Sequence, residues 1–183
     1  MKTKRNSEKG FSYIDLMISM LIFMVGILAM SGALVANRMR SQIIEKQLIA
    51  KQYALSTLES IMAAKELNPN DDVSGWDTIG NVGSNSVNGV SRGIFETDFR
   101  PIRMGNGADG IVGTSDDACA GTGACGTNST PVVNGYSRKI EITDIPSTDY
   151  STIRQRDVKV TIRYQVNGRF MQEILKTIVT DYR

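Results

Sequence analysis

From Leu16 to Ala36 the chain runs through 21 successive residues without a charge. As a helix rising 1.5 Å per residue, such a run is about the length that spans a hydrocarbon layer of roughly 30 Å. A signal peptide has a shorter apolar core with a small-residue cleavage site behind it. Here the helical pattern continues past Arg38, so the segment is expected to stay on the protein as a membrane-spanning helix. One carboxylate, Asp15, stands at its leading edge. An aspartate at the bilayer centre costs ~2.5–3.5 kcal/mol, whereas the ten Leu, Ile, Phe and Val side chains from Leu16 to Val35 each return ~0.3–0.6 kcal/mol, so insertion still wins.

Between Asn37 and Leu67 the pattern becomes amphipathic. Ile44, Leu48, Leu55, Leu58 and Met62 form one stripe, and Glu45, Lys46, Lys51, Gln52 and Glu59 lie largely off it. No proline interrupts residues 11–67, and Pro69 biases Asn68 out of the helical region, which predicts one long helix over 11–67 with 11–36 in the membrane. Gly26 and Gly32 are its weakest points, at ~1 kcal/mol each relative to alanine in a soluble helix.

The remaining residues, 68–183, read as a globular β domain. Val158, Val160, Ile162, Tyr164 and Val166 alternate with polar neighbours before Asn167-Gly168, the preferred pair for a type I′ hairpin turn. Two further strands are expected around Ile94–Ile102 and Tyr136–Ile145, giving an antiparallel sheet of about four strands with the helix stripe on its apolar face. Residues 68–93 and 104–135, rich in Gly, Asn, Ser, Asp and Thr, read as surface loops.

Composition removes several function classes. Twenty-one basic and 19 acidic residues leave a net charge of +2, too small a field for non-specific nucleic-acid binding. The chain has no histidine, the commonest general base and metal ligand near neutral pH, so an enzyme is not expected. "GNGADG" at 105–110 has the letters of a dinucleotide fingerprint, but "IVGTSDD" follows instead of a helix that would hold a pyrophosphate. The same stretch places Asn106, Asp109, Asp116 and Asp117 on a glycine-rich loop, oxygen ligands of the kind Ca²⁺ accepts, without the EF-hand spacing. A solvated turn is the alternative for these residues, and Ca²⁺ is the one cofactor considered. Cys119 and Cys125 fit neither a four-ligand zinc site nor a C-x-x-C motif. A local disulfide closing seven residues, worth roughly 2 kcal/mol, is expected instead. Trp76 and Tyr150 are expected in core or loop packing.

The opening "KGFSYIDL" resembles the processing signal of the type IV pilin and pseudopilin superfamily: a short basic leader, Gly10 at its last position, Phe11 first in the mature chain and an acid at the fifth mature position, Asp15. Tyr13 stands where leucine is usual, and Asp15 where glutamate is usual. The following "MLIFMVGILAMSG" is most similar to minor pilins of the PilV type. Glycine suits an intramembrane cleavage site because Gly10 has no Cβ to keep the peptidase from the backbone. The resemblance implies an α+β, pilin-like fold, with leader 1–10 removed by a prepilin peptidase that also N-methylates Phe11. It implies a minor pilus subunit with other major and minor pilins as partners. The subunit would start in the bacterial inner membrane with its β domain in the periplasm and end on a surface pilus. It also implies that Asp15 pairs with the Phe11 ammonium of a neighbouring subunit, as a carboxylate in low dielectric favours. A minor pseudopilin of type II secretion is the alternative within the superfamily. A membrane-anchored, calcium-dependent binding module is the alternative outside it. Lys2, Lys4, Arg5 and Lys9 before the span are matched by Arg38, Arg40, Lys46 and Lys51 after it, so orientation follows from the resemblance alone.

Overall fold

The computed structural model describes residues 12–67, 74–118, 129–146 and 153–182. One helix, α1 (Tyr13–Glu66), matches the expected span to within two residues at its start and one at its end. Ser12 accepts the first bonds through its carbonyl oxygen, from the amides of Asp15 at 3.0 Å and Leu16 at 3.3 Å. Asp15 thus lies in the first turn, where a negative charge complements the helix N-terminus. The chain divides into two units, Met1–Ile44 and Glu45–Arg183, and α1 runs through the division. In the first unit every described side chain is exposed except Ile43, which is half-buried. That unit contains the stretch of α1 long and apolar enough to cross a membrane, a candidate anchor.

The second unit is α+β: the end of α1 packs on a four-stranded antiparallel sheet of order β3-β4-β5-β6, with β3 (Arg100–Arg103), β4 (Val132–Ile145), β5 (Ile153–Val166) and β6 (Arg169–Tyr182). Alternation in β5 is as expected: Val158, Val160, Ile162, Tyr164 and Val166 are all buried on one face. Asn167 (φ 49°) and Gly168 (φ 78°) make the left-handed turn into β6, so the register is set by the shortest hairpin loop available. Tyr53 of α1 meets Tyr136 of β4 edge-on at 5.6 Å, and Tyr136 stacks on Tyr164 of β5 at 6.2 Å, joining helix and sheet through aromatic contacts.

Three expectations need correction. First, of the expected stripe only Leu58 lies on the buried helix face. Ala50, Ala54, Thr57, Leu58, Ile61 and Ala64 are buried, whereas Ile44 is 64% exposed, Leu48 57%, Leu55 52% and Met62 47%. The buried face combines small side chains with Leu58 and Ile61, and the sheet core is already filled by Ile140, Val160, Ile162 and Tyr164, so four of the five stripe residues stay outside it. Second, 68–93 is not only loop. It contains a helical turn, α2 (Gly75–Thr78), and a two-residue hairpin of β1 (Ser86–Val87) and β2 (Val90–Ser91), turned by a second Asn-Gly pair at Asn88 and Gly89. Trp76 and Ile79 of this segment are buried. Third, the strand expected at 94–102 shrinks to β3, and Phe95 makes only isolated bridges to Asn81 and Thr114. β4 also starts at Val132, inside the expected loop.

Asn81 explains why the short β3 suffices. Its side-chain amide donates to the Ile140 carbonyl oxygen at 2.8 Å and its oxygen accepts from the Ile142 amide at 2.8 Å. One side chain thereby takes the place of a strand along the part of β4 that β3 does not reach.

Candidate functional site

The first site residues lie at the N-terminal end of α1. Asp15 is exposed, and Ser19 donates its hydroxyl proton to the Asp15 carbonyl oxygen at 2.5 Å. The Asp15 carboxylate has no hydrogen-bond or ion-pair partner among the described residues. Gly10 and Phe11, expected to carry processing and pairing, lie outside the described residues, as do Cys119, Cys125 and Tyr150.

The acidic loop holds its carboxylates in different surroundings. Asp109 and Asp116 share one turn: Asp116 Oδ2 accepts from the amides of Ala108 at 2.7 Å and Asp109 at 3.2 Å, and its Oδ1 accepts from the Thr114 hydroxyl at 2.5 Å. Asp109 Oδ1 accepts from the Ile111 amide at 2.8 Å. Asn106 is exposed on the same loop. Asp117 turns inward instead. Its Oδ2 accepts from the Gly113 amide at 2.8 Å and pairs with Arg138 Nη2 at 2.6 Å. Loop amides thus donate to all three carboxylates, with the Thr114 hydroxyl and Arg138 adding a bond each to Asp116 and Asp117, and among the described residues no three acidic or thiol side chains converge as a metal site.

Environment separates the three acids. Burial pushes the Asp109 carboxyl up, against the Ile111 amide, which favours the charged form. Burial also pushes Asp117 up, and the Gly113 amide and Arg138 only partly oppose it. For Asp116 burial acts in the same direction but is outweighed by the Thr114 hydroxyl and the Ala108 and Asp109 amides, which hold the carboxyl below its ordinary 3.8. A group lowered in the fold adds stability above its ordinary value and loses it as pH falls through the folded one. Asp116→Ala should therefore cost about 1–2 kcal/mol near pH 6, and the gap to the parent should close on acidification below about pH 4. Denaturant melts of the detergent-extracted chain at both pH values check this. A gap that widens on acidification would contradict the assignment.

Two buried arginines were not anticipated as structural residues. Arg138 and Arg156 sit at the inward positions of β4 and β5, 7% and 5% exposed. Arg156 donates to Asp144 Oδ1 at 2.6 Å and to the carbonyl oxygens of Trp76 and Ile79, and its guanidinium lies 4.4 Å over the Trp76 ring. The signal was available: Arg156 stands two residues before Val158 and Arg138 two before Ile140, so each falls on the buried parity of its strand.

A cleft of about 300 Å³ opens beside β3, with Glu96, Arg100, Arg103, Asp117 and Arg138 on its walls. Four of these charges pair, Arg100 with Glu96 at 3.5 Å and Arg138 with Asp117, whereas Arg103 donates to the Thr130 carbonyl oxygen at 2.7 Å. The Arg138–Asp117 pair ties the 113–118 turn to β4. Compared with family models, curated proteins and solved structures, the chain matches none.

Proposed function

We propose that this protein is a minor pilin: a prepilin anchored in the bacterial inner membrane, cleaved between Gly10 and Phe11, and inserted into a type IV pilus, where it acts in initiation and assembly. The observation that carries the reading is the exposure of Ile44, Leu48, Leu55 and Met62 on α1 beyond its uncharged run. From Leu16 to Ala36 the helix carries no charge and is exposed on every side. From Ala50 onward it buries Ala50, Ala54, Thr57, Leu58, Ile61 and Ala64, whereas Ile44, Leu48, Leu55 and Met62 stay exposed along α1. A helix used only as a tether gains nothing from a bulky exposed stripe, whereas a subunit that packs its helix among those of neighbours does. Asp15 in the first turn supplies the charge for registering each subunit against the next. Other major and minor pilins are then the partners of the helix, and the prepilin peptidase is the partner of the leader.

Changing Leu48 and Leu55 together to serine tests the reading. Both side chains are exposed, so the melt should stay within about 0.5 kcal/mol of the parent. The variant's share in the filament fraction sheared from cells should fall severalfold. Full incorporation would separate the stripe from assembly. Deleting the protein sorts the two filament systems: loss of pili fits the proposal, whereas loss of secretion with pili intact points to a pseudopilin.

A further inference from the structure

We draw no further inference here: the strongest candidate, the open edge of β6 with Phe170, Ile174 and Ile178 exposed along its solvent face, is an unpartnered apolar surface, and nothing in the structure shows what covers it.

Discussion

Replacing Asp15 with alanine is expected to leave the chain inserted and folded but to keep it out of filaments. The substitution removes a charge from the apolar helix, so membrane insertion becomes easier by ~2.5–3.5 kcal/mol or less, depending on depth. The β domain is untouched, because its core draws on α1 only from Ala50 onward. What is lost under the proposed role is the partner of a neighbouring Phe11 ammonium. Removing one member of a desolvated ion pair costs about 3–5 kcal/mol, because the other charge stays buried and alone. That is roughly a 10²- to 10⁴-fold loss in the equilibrium for adding the subunit. Asp15→Glu keeps the charge and should recover most of the incorporation, which separates a charge requirement from a change in helix packing. The readout is the ratio of protein in the sheared filament fraction to protein in the membrane. Wild-type incorporation of the alanine variant would contradict the role given to Asp15.

Arg138→Ala is expected to destabilise the β domain by about 3–5 kcal/mol. The pair it forms with Asp117 is inside the fold, with the arginine side chain 7% exposed and the carboxylate 12% exposed. Asp117 Oδ1 already lacks a partner among the described residues, so without Arg138 the carboxylate keeps only the Gly113 amide. Against a total of about 5–15 kcal/mol for an ordinary domain, the loss is large. Burial already raises the Asp117 carboxyl, and removing the neighbouring cation raises it further. A raised acid favours the fold at low pH and loses that contribution as pH rises through the folded value, so the deficit should shrink on acidification. Arg138→Met combined with Asp117→Leu should regain most of the loss, since two apolar side chains leave no charge behind. Denaturant melts of the detergent-extracted proteins measure all three. A loss below about 1 kcal/mol for the single variant would mean that the pair is not buried.

How far the sequence reads depends on whether one residue pattern has one structural meaning. The uncharged run and the absence of proline before Pro69 leave a long helix as the only regular element, and α1 follows. β5 and β6 were legible because period-two alternation meets an Asn-Gly pair whose backbone preference specifies the turn. The same pair at Asn88 and Gly89 gives no comparable signal, because its flanking strands are only two residues long. The buried helix face was misread for a different reason. Ala50, Ala54, Ile61 and Ala64 recur with the same helical spacing as the leucine stripe, and side-chain size alone does not tell which face the sheet can accommodate. The acidic loop is ambiguous in kind: carboxylates on a glycine-rich turn suit a cation or a solvated turn, and no sequence pattern foretells the loop amides that donate to Asp109 and Asp116. Trp76 in a Gly- and Asn-rich interval was placed by long-range partners, Arg154 and Arg156, that no local pattern announces.

The most direct test of the central claim is the intact mass and N-terminal sequence of the protein extracted from the membranes of cells that carry a prepilin peptidase. The account predicts a chain that begins at Phe11 with one methyl group on its amine, and the full-length precursor only when the peptidase is removed. A protein that keeps residues 1–10 in peptidase-positive cells would contradict the proposed processing, and with it the pairing of Asp15 with a neighbour's N-terminus.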